Sequence, residues 1–414
     1  MNMLRTLLLT SFLILAVSVT VHAAPSSLPA IDAKSWILTE YTSGKVLARH
    51  NIHAPRRPAS LVKMMTIYVV GRAILDETVS MDDLVDISKN AWALRLRGSS
   101  KMFLEVGERV PLSKLCRGLV IPSGNDAAIA LAEHLAGSQK AFVKMMNDWA
   151  SRLGMDDTRF GTVHGLDSRN QKTSAADMAI LAAALIRDLP DIYPLFSERR
   201  FTYQGITQRN RNKLLWDDVL HVDGIKTGYT YRARYNLVAS STSGDQRLIA
   251  VVLGARTAGE RIRAARELLL WGERNYMTIK GDPAAAAAPV RVWYGNVPTV
   301  EILPREPVYL TLPRPDAMHL EMDVDLPEFL EAPVTKGQRV GGAKWILNGE
   351  VLKAVDLVAG RESSKLPWYL RGVEYFRRIF GNLWAAVPEF DPQGWWQGSW
   401  IGIAWNYVLA WVSG

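Results

Sequence analysis

A single cysteine, Cys116, in 414 residues leaves no intrachain disulfide and no cysteine-based zinc site. It falls in an apolar, helix-patterned stretch, so a buried and unreactive thiol is expected. Seven histidines are present, yet none stands in an H-E-x-x-H or H-x-H pattern. That argues against a metallocarboxypeptidase, and no metal or cofactor is expected. Long apolar runs are missing too. Leu7 to Val21 gives 15 residues, short of the roughly 20 that span a bilayer. With Arg5 before it and Val21-His22-Ala23 at its end, it reads as a secretory signal peptide over residues 1–23. The mature chain would begin near Ala24, outside the cytoplasm.

What the chain does have is three short motifs, each occurring once and in a fixed order. Ser60-Leu61-Val62-Lys63 supplies a hydroxyl and an amine one helical turn apart. Pro58-Ala59-Ser60 opens an apolar run through Val69-Val70 that is too uniformly hydrophobic for a surface helix. Pro58 suits a first helical turn. Burial and the helix dipole both disfavour an ammonium, so Lys63 is expected to accept the Ser60 proton. Ser123-Gly124-Asn125 falls where a helical stretch is interrupted by Pro122 and Gly124, with a second helix pattern from Asp126 to Leu135. A hydroxyl on such a loop can relay a proton to a leaving amine, and the amide of Asn125 can bond a substrate amide. Lys226-Thr227-Gly228 follows an apolar segment and precedes a hairpin of Asn236–Ser241 with Arg247–Gly254. A strand edge there offers charge and hydroxyl to a carboxylate, and Gly228 permits close backbone approach. Together these are the parts of an acyl-transfer site built without histidine or metal.

The three motifs resemble those of the low-molecular-weight penicillin-binding proteins of the D-alanyl-D-alanine carboxypeptidase type. Flanking residues agree: Ile121-Pro122-Ser123-Gly124-Asn125-Asp126, Thr162-Val163-His164-Gly165-Leu166-Asp167 and Asp223-Gly224-Ile225-Lys226-Thr227-Gly228. The likeness runs strongly from about residue 28 to 275 and more loosely beyond. It implies an enzyme that removes the terminal D-alanine of peptidoglycan pentapeptides through an acyl-enzyme and is acylated by β-lactams. Ser60 would be the nucleophile, Lys63 its base and Ser123 the proton relay. Asn125 would contact the substrate amide or orient Lys63. Lys226 and Thr227 would address the terminal carboxylate, with Gly228 beside them. Backbone N–H groups of Ser60 and Tyr229 would form the oxyanion hole. Arg261 matches an arginine used near the carboxylate, with Arg256 and Arg263 close by in sequence, and His164 matches a loop histidine near the site. Alternatives of the same chemistry are a DD-endopeptidase and, less suited, a β-lactamase, for want of a loop Glu motif to activate water. From another class comes a non-catalytic cell-wall scaffold. No nucleic-acid partner is implied.

The pattern predicts an α+β transpeptidase-like domain over residues 24–282. Trp36–Tyr41 and Lys45–Ala48 read as a hairpin turning at Thr42-Ser43-Gly44, and the late hairpin follows a mostly helical region. Strands at both ends suggest one antiparallel sheet with a helical cluster beside it, and a helix from Arg261 to Tyr276 packed back on it. The alanine-rich Pro283–Pro289 marks a boundary, and residues 283–362 alternate and turn like a small all-β domain. Residues 363–414 form a tail. Seven of the fourteen tryptophans follow Pro367. Tyr369, Leu370, Val373, Phe376, Phe380, Leu383 and Trp384 recur at helical spacing opposite Arg371, Glu374, Arg377 and Arg378. A basic amphipathic helix with aromatic anchors reads as a membrane-surface segment. Trp395–Val412 adds a second stretch, broken by Gln397, Ser399 and Asn406, that suits the interface better than a span. The expected location is the periplasmic face of the inner membrane.

Overall fold

The computed structural model describes residues 26–92, 98–286 and 288–379. The signal-peptide stretch, and the tail from Phe380 through Trp395–Val412, lie outside the described residues. The chain divides into two compact units.

The first unit holds residues up to Gly281 together with Val308–Leu320. Its centre is a five-stranded sheet in which every pairing is antiparallel. The strands are β1 (Ser35–Glu40), β2 (Val46–His50), β7 (His221–Thr230), β8 (Arg234–Ser243) and β9 (Gln246–Ala255), in the order β2-β1-β9-β8-β7. The two hairpins expected from the sequence are β1–β2 and β8–β9, and their union at β1–β9 closes the sheet with both ends of the unit. Alternation along the strands sorts side chains onto two faces. Ile37, Val238, Ile249, Val251 and Leu253 join the helical core. Trp36, Leu38, Leu237, Leu248, Ala250 and Val252 face the other way, against α6 (Ala258–Asn275). That helix starts three residues before the expected Arg261, because Thr257 and Glu260 form a capping box.

The helical core contains α1 (Val62–Leu75), α2 (Leu112–Val120), α3 (Asn125–Ala136), α4 (Gln139–Arg152) and α5 (Ala175–Asp188). Every residue of α1 from Val62 to Gly71 is buried, which explains why its sequence shows no polar face. Each such apolar side chain contributes about 1.5–3 kcal/mol on burial. Cys116 lies on α2, fully buried, and desolvation raises its thiol to about 12, so it is inert. Two small antiparallel strand pairs went unread in the sequence: β3 (Leu84–Asp86) with β4 (Arg109–Pro111), and β5 (Arg200–Tyr203) with β6 (Ile206–Arg209). Strands of three or four residues carry too little alternation to be seen. A further strand, Tyr276–Gly281, pairs with Val308–Pro313. The buried Glu40 carboxylate accepts from Ser43 and Thr311, tying the first hairpin turn to that strand.

The second unit holds residues 282–307 and those from Glu321 onward. Its strands form a four-stranded sheet ordered Ile302–Pro304, Glu350–Ala359, Arg339–Leu347, Leu320–Asp325, and a three-stranded one centred on Val290–Trp293. Val308–Pro313, although it alternates like its neighbours, groups with the first unit through its pairing with Tyr276–Gly281. The alanine-rich stretch forms a short helix, Pro283–Ala286. Helix Trp368–Ile379 ends the described chain, held by Arg378 on Glu331 at 2.6 Å and over the Phe329 ring. Trp368, Tyr369, Val373 and Tyr375 stay exposed on it. No helix among the described residues is long and apolar enough to cross a membrane.

Candidate active site

Ser60 sits in a 3-10 turn, Ala59–Leu61, immediately before α1. Ala59 has φ 51°, a left-handed conformation costly for a residue with a Cβ and worth about 1–3 kcal/mol of strain. Three neighbours hold the turn there. Gly165 packs its α-carbon against the Ala59 carbonyl, where an added Cβ would lie only 2.0 Å from the oxygen. Gly228 of β7 approaches the Pro58 carbonyl, and a Cβ there would meet it at 2.8 Å. The Asn236 side chain, on β8, donates to the Arg57 and Pro58 carbonyls at 2.9 and 3.1 Å. Backbone, loop and sheet thus converge on one hydroxyl.

Lys63 follows on the first turn of α1 and is 1 % exposed. Its Nζ donates to Asn125 Oδ1 and to the His164 carbonyl, both at 2.6 Å, and reaches Ser60 Oγ at 3.3 Å. Desolvation pulls its pKa down to about 7; Asp126 works against this, while Arg211 assists it. A neutral amine has two N–H bonds and one lone pair. In that form the two hydrogens can serve the two carbonyl acceptors, which leaves the lone pair available to Ser60 Oγ. The loop whose histidine matches one near the family's site contributes its backbone here. The His164 ring accepts from Leu166 N at 3.2 Å, and burial, then Lys63, pushes it down to about 4, so it is neutral.

Ser123 lies between α2 and α3, as the helix break predicts, with φ 67°. Its Oγ is buried and has no hydrogen-bond partner among the described residues, a state buried hydroxyls rarely tolerate unless a ligand or water completes them. Asn125 begins α3, and its N–H donates to Ser100 O at 2.8 Å. Asp126, next along, is fully buried and accepts from the N–H groups of Met102, Phe103, Leu104 and Ala127. These bonds pin the Ser100–Leu104 wall to the turn carrying Ser123.

Lys226, Thr227 and Gly228 lie on β7, the edge strand, and Lys226 and Thr227 are buried. The Lys226 ammonium is strongly disfavoured by desolvation, and next by Lys63, Arg211 and Arg261 around it. An incoming carboxylate would relieve that repulsion. Arg261 of α6 is 8 % exposed, with Nη1 donating to Asn236 O at 3.4 Å and its guanidinium over the Tyr235 ring. Its Nε is buried without a partner among the described residues, and desolvation lowers the guanidinium pKa to about 10. Arg256 instead pairs with Asp32 and Glu260 on the surface. Tyr229 is half exposed and packs on Tyr235.

Ser60, Ser123, Asn125, Thr227, Gly228, Tyr229 and Arg261 all line one cavity of ≈ 690 Å³, whereas Lys63 and Lys226 are buried and are not among its lining residues. All three motifs therefore meet. Arg211 and Lys213 line it as well and were not singled out from the sequence, although Arg209-Asn210-Arg211-Asn212-Lys213 shows a visible alternation of cation and amide. No cluster of metal-ligating side chains is found among the described residues.

Residues 20–257 match the D-alanyl-D-alanine carboxypeptidase family, and residues 276–365 match the C-terminal domain of penicillin-binding protein 5. The chain is 43% identical over 407 residues to D-alanyl-D-alanine carboxypeptidase DacC of Escherichia coli, covering 97% of this chain and 98% of that protein. It is 45% identical over 359 residues to DacA of the same organism, covering 85% and 89%. The fold matches a crystal structure of penicillin-binding protein 5 from Haemophilus influenzae with TM-score 0.71 and 40% identity, over 82% of this chain and 99% of that one.

Proposed function

This chain belongs to the D-alanyl-D-alanine carboxypeptidase family, and from that membership we propose how its own residues carry the reaction. The protein is a serine-type D-Ala-D-Ala carboxypeptidase acting on peptidoglycan peptides and acylated by β-lactams. Neutral Lys63 takes the Ser60 proton as Oγ attacks the carbonyl of the penultimate D-alanine. The backbone N–H groups of Ser60 and Tyr229 receive the oxyanion, each such donor lowering the barrier by about 3–4 kcal/mol. Ser123 passes a proton to the departing amine as the C–N bond breaks, and its unpartnered hydroxyl supports that role. Asn125 holds Lys63 through its Oδ1. Thr227, Lys226 and Arg261 bind the terminal carboxylate. Water then hydrolyses the Ser60 ester and frees the enzyme.

One observation carries the reading: a buried amine with two carbonyl oxygens at 2.6 Å and its remaining contact on Ser60. Incubation with a pentapeptide ending in D-Ala-D-Ala should release free D-alanine, and an active-site-competent preparation that releases none would refute it. Lys226→Ala should lower kcat/KM for that peptide about 10- to 100-fold, mostly through KM, since a charged hydrogen bond is lost. Steady-state kinetics would show this; an unchanged KM with collapsed kcat would reassign Lys226.

For the rest of the chain, we infer export by residues 1–23, a catalytic domain over 24–282, a β domain over 283–362 and a membrane-surface tail over 363–414. This places the enzyme on the periplasmic face of the inner membrane. The exposed Trp368, Tyr369, Val373 and Tyr375 support the tail reading, because aromatic and apolar groups left in water favour a lipid interface. Alkaline carbonate should release the full-length protein from membranes. Retention in the pellet would favour a spanning segment instead.

A further inference from the structure

The strand that carries Lys226 departs from simple register. Between β7 and β8, Val222 stands opposite Ser241 and Gly224 opposite Ser240, so Asp223 is left over as a one-residue bulge. Side chains alternate along a strand, and one extra residue moves every later side chain to the other face. After the bulge Lys226 pairs with Val238, whose side chain joins the helical core. Without it, the register set at Val222 would bring Lys226 opposite Leu237, which packs on the α6 side. Lys226 would then lie on the face turned away from α1 and Lys63. The carboxylate anchor therefore depends on Asp223 being looped out.

Side chains from three other segments hold the bulge. The Asp223 carboxylate accepts from Arg247 Nη1 at 2.6 Å and from the Tyr193 hydroxyl at 3.0 Å. The same Arg247 nitrogen donates to Ser240 Oγ at 2.8 Å, and its guanidinium lies over the Tyr193 ring. Arg247 belongs to β9, so the ion pair reaches across the intervening β8. The Arg247 and Asp223 side chains are 22 % and 28 % exposed, and a pair so covered is little screened by salt. One residue on, the Gly224 carbonyl accepts from the Asn212 amide at 2.8 Å. A Cβ on Gly224 would meet the Tyr193 oxygen at 3.0 Å, so the tyrosine packs directly on the bulge. Asp223, Arg247 and Tyr193 all lie outside the lining of the catalytic cavity.

We infer that Asp223, Arg247 and Tyr193 are positioning residues for recognition of the substrate's terminal carboxylate: together they lock the bulge that turns Lys226 toward the cleft. This rests on the carboxypeptidase reading and adds to it residues that touch no substrate. Release of D-Ala from diacetyl-L-Lys-D-Ala-D-Ala by the wild type checks the underlying activity, and its absence would remove that reading and the inference with it. Two activated thioesters of diacetyl-L-Lys-D-Ala then test the inference, one with thioglycolate and one with thioglycolamide as leaving group. They differ only in a carboxylate against a neutral amide, and thiol release reads both. The wild type should favour the thioglycolate by about tenfold or more in kcat/KM, the value of a charged hydrogen bond. Arg247→Met and Asp223→Asn should each cut that ratio about five- to tenfold, through KM for the thioglycolate, while the thioglycolamide rate stays within about twofold of wild type. Arg247→Lys keeps the cation and should retain most of the ratio. Tyr193→Phe removes a single hydrogen bond and should lower it about two- to threefold, which decides the matter if the larger changes prevent folding. A ratio does not depend on how much of a preparation is folded, so a merely structural role would slow both thioesters alike. An unchanged ratio in every variant that folds, with D-Ala released normally by the wild type, would overturn the inference alone. So would a wild type indifferent to the carboxylate.

Discussion

Ser60→Ala is expected to abolish covalent labelling by a fluorescent penicillin and to cut D-alanine release by a factor on the order of 10⁴ or more. Among the described residues Ser60 Oγ is the hydroxyl bonded to Lys63 Nζ, so no second nucleophile is expected to take over. The fold should survive, because Ser60 Oγ makes one long contact, 3.3 Å from Lys63, and its removal leaves no cavity larger than an oxygen. Circular dichroism and thermal melting within a few degrees of wild type would confirm that the loss is chemical. Persistent labelling of the alanine variant would show that acylation occurs elsewhere. Failure of the wild type to label would instead favour a cell-wall scaffold without activity.

Acylation should rise with pH through about 7 and level off above it, following deprotonation of Lys63. The sign is fixed by the role: the reactive form is the neutral amine, so each pH unit below 7 costs about tenfold in the acylation rate. Stability moves in the same direction. The unfolded chain holds this proton up to the ordinary lysine pKa of 10.5, while the folded chain releases it near 7. Between those values the unfolded state binds more protons, so the burial penalty, fully present below pH 7, is relieved as pH rises. Lys63→Arg keeps a cation that cannot deprotonate and should lose acylation nearly as completely as Lys63→Ala. Stopped-flow acylation across pH 5–9 would decide it. A flat profile in the wild type, or normal acylation by the arginine variant, would dismiss Lys63 as the base.

Much of this site could be read in advance because its chemistry depends on residue type at short spacing. Ser60 and Lys63 are three apart, and any helix there must put them on one side. The unbroken apolar character of α1 told that the helix is buried, and burial is what lowers the Lys63 pKa toward 7. The breaks at Pro122 and Gly124 and the hairpin after Thr230 located the other two motifs on a loop and a strand. Other features had no local signature. The His164 carbonyl, and not its ring, meets Lys63, because a backbone group carries no identity in the sequence. Asp126 looked like an ordinary helix-start residue, yet it binds four N–H groups, three of them more than twenty positions away. Arg261 could not be told from Arg256 and Arg263 by position. Packing chose among them by burying Arg261 beside Tyr235 while Arg256 found carboxylates on the surface.

By itself the amino-acid order put a serine and a lysine one helical turn apart, determined the two hairpins and, with a single cysteine, left no intrachain disulfide. Those follow from composition and from the fixed periods of helix and strand. Only tertiary structure decided which carbonyls hold the Lys63 hydrogens, how the left-handed turns at Ala59 and Ser123 are sustained, and that Arg211 and Lys213 face the same cavity. The physical reason is that these depend on desolvation and on contacts between segments a hundred or more residues apart, which no local pattern encodes.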